Sequence, residues 1–249
     1  MDDLALAAAL VHDAGTLAAR MLAEGLTTQH KTSVSDVVSA ADHAAEKLIG
    51  ERLGVERPDD GVVGEEGTSR PGDRVWYVDP VDGTYNFLSG LPAWCAAVAL
   101  CSNDRPLVGA VYHPSADELW LGGVDAPTTC NGEPVAGIVD RPLSQVSIAS
   151  YLHPTTLSDD TVRLPLLRAV QGAATVRMLG SASVELAAVA AGRLGAWLQY
   201  SCLPWDWYPG AALVRAAGGA TEVVPAHGHD WHIAGSRQAV DEIAALLTS

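Results

Sequence analysis

The sequence predicts a mixed α and β fold: an α+β half to about residue 140, then an α/β half from about 141 to 249. Three observations carry this. A long run near the N-terminus repeats apolar residues at helical spacing. Short apolar runs broken by turn residues then crowd positions 62 to 134. From Val146 onward, strand-like and helix-like segments alternate.

The elements follow in order. Leu4, Ala7, Ala8, Val11, Ala14, Leu17, Ala18, Met21 and Leu22 mark one amphipathic helix over residues 3 to 24, stopped at Gly25. A polar segment over 27 to 36 separates it from a second helix running to about Leu53, with Ser39 as a cap. Val62 to Gly67 reads as a short strand ending in paired acids, and Val75 to Val78 as another. Trp94 to Cys101, Pro106 to Tyr112 and Glu118 to Gly122 read as strands, and Asn131-Gly132 is a hairpin turn. Two helices against an antiparallel sheet result. In the second half, strands are expected at Val146 to Ala149, Ala174 to Met178, Gly195 to Tyr200, Thr221 to Val224 and Trp231 to Ala234. Helices are expected at Asp159 to Gln171 (broken or started near Pro165), from Gly180-Ser181-Ala182 through Gly192, from about Pro209 to Ala217, and at Asp241 to Leu247. No repeat or low-complexity linker divides the halves, so they are expected to pack as one unit.

A chain of 249 residues with 48% hydrophobic and 18% charged residues can bury a sizeable core and is globular. Its net charge of −15 argues against a nucleic-acid backbone as partner, which needs a basic face. Small phosphorylated substrates stay open, because cations held by clustered acids reverse the local sign. Cys95, Cys101, Cys130 and Cys202 are scattered and form no CxxC pair, which fits reduced thiols. Asp2 and Asp3 stand where a signal peptide carries basic residues. No apolar run approaches the ~20 residues of a bilayer span. A soluble cytoplasmic protein with no membrane partner is the expectation.

Chemistry centres on Asp79-Pro80-Val81-Asp82-Gly83-Thr84-Tyr85-Asn86-Phe87. If Pro80 and Gly83 turn the chain there, Asp79 and Asp82 face one point, and paired carboxylates suit a hard cation such as Mg²⁺. Gly83-Thr84 leaves backbone N–H groups open to an anion at a helix start. Glu65, Asp79, Asp82 and Asp206, with the Val81 carbonyl, could ligate two Mg²⁺ ions, which would polarise a phosphoryl group and lower the pKa of a bound water. Thr84 could position or deprotonate that water if Asp42 accepts its proton. Each motif also has a plain reading: a helix-capping turn for residues 79 to 84, a solvated loop pair for Glu65-Glu66. Asp206, between Trp205 and Trp207, is expected to be partly buried and in need of a partner. His227, His229 and His232 sit in a Pro/Gly-rich loop, where metal binding is the lesser reading. Ser181 and Ser183 lack an adjacent His; Tyr85 and Asn86 suit packing or capping; Lys31 and Arg177 suit loop electrostatics or plain solvent.

Gly64-Glu65-Glu66, the 79 to 87 string and Trp205-Asp206 stand in the order and spacing of the inositol monophosphatase family, which the chain resembles over nearly its whole length. Lys31, Val38-Ser39-Ala40-Ala41-Asp42, Gly180-Ser181-Ala182 and Ala216-Ala217-Gly218-Gly219 agree. The resemblance implies a layered αβαβα sandwich of the sugar-phosphatase type and hydrolysis of small phosphomonoesters with two or three Mg²⁺ ions, sensitive to Li⁺. It makes Glu65, Asp79, the Val81 carbonyl, Asp82 and Asp206 metal ligands, and Asp42, Glu65 and Thr84 catalytic. It places substrate against Asp82, Gly83, Thr84, Gly180, Ser181, Ala182 and Asp206. It also implies a homodimer, to which the apolar tail of the first half could lend an interface.

Two departures bear on the alcohol. Inositol phosphatases often carry a Glu seven residues before the second-half aspartate; here Gln199 can hydrogen-bond a hydroxyl but would not attract an ammonium. Bulky Trp207-Tyr208-Pro209 is expected to reshape the pocket wall or the helix start. Inositol 1-phosphate or a related polyol phosphate is the leading substrate. Histidinol phosphate, fructose 1,6-bisphosphate and phosphoadenosine phosphate are alternatives, and a catalytically idle metal- or phosphate-binding regulator is the reading from another class.

Overall fold

A computed structural model describes residues 1–24, 28–30 and 37–249, with side chains for all of these except 28–30 and 37–39. Lys31 and most of the polar segment lie outside the described residues, as does the Ser39 side chain.

Helices α1 (Asp3–Glu24) and α2 (Ala40–Glu56) flank a short antiparallel pair, β1 (Thr28–His30) and β2 (Val37–Ser39), that the polar composition did not suggest. The first sheet contains β3 (Gly61–Gly64), β4 (Ser69–Arg70), β5 (Arg74–Asp82), β6 (Cys95–Ser102), β7 (Arg105–His113), β8 (Glu118–Gly123), β9 (Ala126–Cys130) and β10 (Glu133–Pro134), with the short helix α3 (Thr84–Leu88) after β5. Its order is β10-β9-β8-β7-β6-β5-β3-β4. The sheet is mixed rather than antiparallel throughout, because β3 pairs β5 in parallel. Asn131 and Gly132 both take positive φ, 50° and 83°, and close the β9–β10 hairpin as expected.

The second half contributes β11 (Ser147–Ser150), α4 (Asp160–Gln171), β12 (Thr175–Arg177), α5 (Ala182–Ala190), β13 (Ala196–Tyr200), α6 (Pro204–Ala216), β14 (Ala220–Ala226), β15 (His229–Gly235) and α7 (Arg237–Thr248). Its sheet runs β12-β11-β13-β15-β14, parallel across the first three strands. Pro165 sits inside an unbroken α4, capped by the Asp159 side chain on Thr161 N at 2.9 Å. Helix α6 begins earlier than predicted, so Trp205 and Asp206 belong to its first turn; Pro204 starts it with no donor to lose.

Five layers result. The buried faces of α1 and α2 (Leu6, Leu10, Val11, Ile49, Leu53) pack with Trp76, Val78 and Val98 on one side of the first sheet. Helices α5 and α6 fill the space between the sheets, where Leu186, Ala211 and Leu213 meet Ala97 and Val111 of the first sheet and Trp197 and Ala234 of the second. Helices α4 and α7 cover the outer face through Val162, Leu166, Val240 and Ile243. The layering is αβαβα. Helix α1 has the length and apolarity to cross a membrane, contrary to the expectation that no run approaches this, yet its apolar face is core-facing.

Two glycines let α6 lie close. A Cβ on Gly109 of β7 would run into the Pro209 carbonyl and come within 2.7 Å of Ala212 Cβ, and a Cβ on Gly210 would overlap Leu186. Since α6 carries Asp206, this contact sets how far that acid stands from β5. Gly109→Ala should lower unfolding free energy by about 1–3 kcal/mol in urea titrations. Gly54→Ala, whose Cβ meets only an arginine tip at 3.7 Å, should be neutral or stabilising by up to about 1 kcal/mol.

Candidate active site

Strand β5 does not turn at Pro80 but continues as strand through Asp82. Strict alternation would put Asp79 and Asp82 on opposite faces. The register on β6 shifts instead: Asp79 opposes Ala97 and Asp82 opposes Cys95, so β5 holds one residue more than its partner. This bulge brings both acids to one side, and Pro80, lacking an N–H, fits the interrupted ladder. The turn comes at Gly83, whose φ is 95°. A Cβ there would also stand 2.9 Å from the Ala93 carbonyl and 3.2 Å from the Gly180 carbonyl.

One carboxylate oxygen from each of Asp79, Asp82 and Asp206 lies within 4.8 Å of the others. Asp79 and Asp82 are buried and Asp206 half-buried. The Asp79 carboxylate also accepts Val81 N at 3.1 Å. Asp82 takes Ala182 N at 3.2 Å and Ser183 N at 2.5 Å, capping α5 from the other half of the chain. Burial, then neighbouring acids Glu65, Asp82, Asp206 and Asp42, hold the Asp79 carboxyl well above the usual range. Burial likewise raises Asp82 against the α5 donors, and burial with the Asp82 charge pushes Asp206 up to about 7. Much of Glu65 is open to the cavity, yet the surrounding protein and then Asp206, Glu66, Asp42 and Asp82 push its carboxyl up to about 8. Carboxylate oxygens converging this closely fit a divalent cation of the Mg²⁺ type.

Glu65 and Glu66 separate cleanly. Glu66 turns to His43, 3.2 Å away, while Glu65 lines the cavity with Asp79, Asp82 and Asp206. Asp42 is buried in the first turn of α2. The Thr84 hydroxyl donates to the Val81 carbonyl at 3.0 Å, which occupies the proton that sequence reasoning hands to Asp42. Gly83, Thr84, Gly180, Ser181, Ala182 and Gln199 all line the same cavity of about 740 Å³. Trp207, Tyr208 and Pro209 do not line it: Trp207 stacks on Trp197 at 5.7 Å, Tyr208 meets Tyr77 at 4.9 Å, and Pro209 packs over Gly109. The histidines do not converge either, His227 bonding the Leu247 carbonyl and His229 the Thr161 hydroxyl. All four cysteines are free.

The sequence model of the inositol monophosphatase family matches residues 2–243. The chain belongs to that family. It is 37% identical over 190 residues to the inositol-1-monophosphatase of Rhizobium meliloti, covering 74% of this chain and 71% of that protein. The solved extragenic suppressor protein suhB of Bartonella henselae superposes with a TM-score of 0.86 at 30% identity, covering 97% of this chain and 96% of that one. SaIMPase-II with bound inositol monophosphate gives a TM-score of 0.80 at 25% identity over 97% and 91% of the two chains, and SaIMPase-II has also been solved with 2′AMP. As a member of the inositol monophosphatase family, the protein is a phosphoric monoester hydrolase.

Sequence reasoning missed Glu46, Tyr151, His153 and Thr155 around this site, and it read Asn86 as packing or capping without its partners. Glu46 accepts Glu66 N and Thr68 N, each at 2.7 Å, tying down the loop that carries Glu65. Asn86 donates to the Ala93 carbonyl at 2.8 Å and the Leu179 carbonyl at 2.7 Å, linking the acidic motif to the second half. Tyr151, His153 and Thr155 form a further part of the cavity wall. The only signal for them was position: they follow β11, one of three parallel strands whose C-terminal ends meet the cavity.

The raised carboxyls bind protons more tightly folded than unfolded. Their cluster therefore destabilises the metal-free fold increasingly as pH climbs from about 4 to 8. In chelator at pH 8, Asp79→Asn should be about 1–3 kcal/mol more stable than wild type. The difference should shrink toward pH 5 and close or reverse with Mg²⁺, as read by thermal melts.

Proposed function

We propose that the protein hydrolyses a small phosphomonoester of an uncharged polyol, inositol 1-phosphate first among them, in a Mg²⁺-dependent reaction. The observation that carries this is the convergence of Asp79, Asp82 and Asp206 in a cavity that also presents the neutral amide of Gln199. Two or three Mg²⁺ ions held by Glu65, Asp79, the Val81 carbonyl, Asp82 and Asp206 would supply Lewis-acid polarisation of the phosphoryl group and a water of lowered pKa.

The chain's own residues would do the rest. Gly83 and Thr84 hold the phosphate at the point where φ and space both demand glycine. Thr84 and Glu65 orient the attacking water, and Asp42 takes the proton once the Thr84 hydroxyl turns from the Val81 carbonyl. Water attacks phosphorus in line as its proton passes to Asp42, the P–O bond to the alcohol breaks, the departing alkoxide takes up a proton from a solvent water, and no phosphoenzyme forms. Gly180, Ser181, Ala182, Asp206 and Gln199 receive the alcohol, with Tyr151, His153 and Thr155 across from them. With Trp207 and Pro209 buried and Tyr208 half-buried against Tyr77, none of the three on the cavity wall, Gln199 is left as the departure that bears on substrate choice. Solved complexes of a relative with inositol monophosphate and with 2′AMP support a hydroxyl-rich alcohol.

The same proposal includes inhibition by Li⁺, a cytoplasmic location, and a division near residue 140 into a half with the acidic motifs and a half with the Trp-Asp helix. It also includes a homodimer, for which exposed Val176 and Met178 offer apolar surface.

Purified protein with Mg²⁺ should release phosphate from inositol 1-phosphate, and Asp79→Asn should reduce kcat at least about a hundredfold. No release from any member of a phosphomonoester panel would overturn the reading. Gln199→Glu should raise the kcat/KM ratio of histidinol phosphate over inositol 1-phosphate about tenfold, because a carboxylate there would pair with the substrate ammonium.

A further inference from the structure

Glu185 is an acid in the middle of the molecule that the reaction does not use. It lies in the first turn of α5 and is 1% exposed. One carboxylate oxygen accepts Leu179 N at 2.6 Å, and the other accepts the indole N–H of Trp197 at 2.9 Å. Burial pushes its carboxyl up to about 8, against the pull of these donors. A buried acid is expensive, and a well-packed apolar side chain in its place is often as stable or more so. Stability alone therefore gives no reason for a carboxylate here.

Its partners give one. Leu179 opens the segment Leu179-Gly180-Ser181-Ala182 that leads from β12 into α5. The carbonyl of Leu179 is held by Asn86 and its N–H by Glu185, so the peptide groups on either side of this residue are both gripped. Two residues on, Ser181 caps α5 by accepting Val184 N at 3.3 Å, and Asp82 takes the next two N–H groups. Gly180, with φ 83°, would place a Cβ 3.1 Å from the Asn86 amide, so this segment has little room to slide. Through Trp197, Glu185 also ties the segment to β13, the strand that ends with Gln199 and Tyr200.

We propose that Glu185 is a positioning residue: it fixes the Leu179–Ala182 segment relative to the Gln199 strand and so sets the affinity for the substrate's alcohol. This rests on the reading of that segment as the alcohol site. Glutamine at 185 offers one acceptor and one donor where two acceptors are needed, so either Leu179 N or the Trp197 indole loses its partner.

The test pairs two substrates with one physical readout. For Glu185→Gln, KM for inositol 1-phosphate should rise at least about fivefold with kcat within about twofold, the pattern of lost binding rather than lost chemistry. Hydrolysis of p-nitrophenyl phosphate, which has no polyol, should change less than about twofold. Trp197→Phe combined with Glu185→Gln removes the competing donor and should recover part of the KM. Independently of substrate, hydrogen exchange at the Leu179 amide should speed up at least about tenfold in Glu185→Gln. Equal losses on both ester substrates, or an unchanged KM and unchanged exchange, overturn the proposal. If Glu185→Gln does not fold, Glu185→Asp, which draws the carboxylate back by one methylene, carries the same measurements. If wild type hydrolyses no ester, the functional reading has failed, and Leu179 exchange still decides whether Glu185 grips the segment.

Discussion

Like charges brought close together in a buried place repel, and this repulsion is the constraint around which the molecule is arranged. Asp79 and Asp82 come from β5 and Asp206 from α6, far along the chain, yet oxygens of all three fit within 4.8 Å. Their charges repel, and the hydrogen bond between Asp79 and Asp206 forms only when one of the two carries a proton. The scaffold must force the approach, and it does so with hard contacts: Gly109 and Gly210 admit α6, and the bulge in β5 places two acids on one face. The free energy that the cluster costs in the absence of a cation is then available to favour cation binding.

The same carboxylates also join the structure. Asp82 belongs to the first sheet and caps a helix of the second half, while Asn86 spans from the loop before β6 to the loop before α5. Glu46 gives both carboxylate oxygens, and Glu185 one, to backbone N–H groups of loops that border the cavity. Rigid secondary structure aims the catalytic loops, and buried side-chain hydrogen bonds remove their remaining freedom.

Much of this was legible in the sequence because it is local. Helical periodicity placed α1 to the residue, Asn131-Gly132 gave its hairpin, and the spacing of the acidic motifs identified the family. Other features were hidden for physical reasons. The Asp79–Asp82 stretch contains Pro and Gly, so it read as a turn, but a bulge relieves Pro80 of its missing N–H and the strand continues. Trp205 and Asp206 read as a lead-in because Pro209 seemed to open the helix, whereas Pro204 already does. Trp207 to Pro209 seemed to alter the pocket because bulk after a ligand is noticeable in a string; only packing shows that the bulk faces inward. Tyr151, Glu46 and Glu185 have no motif, since their roles depend on contacts between distant segments.

The stacked pair Trp197 and Trp207 has an optical consequence. One indole is hydrogen-bonded to Glu185, and the other is the chain neighbour of Asp206. Indole emission responds to nearby charge and to solvent, and two rings 5.7 Å apart are near enough to exchange excitation. The protein therefore carries an intrinsic fluorophore wired at one end to the segment proposed to receive the alcohol and at the other to the acidic cluster. Ligand arrival at either place is a signal this pair is situated to report, without any label added to the chain.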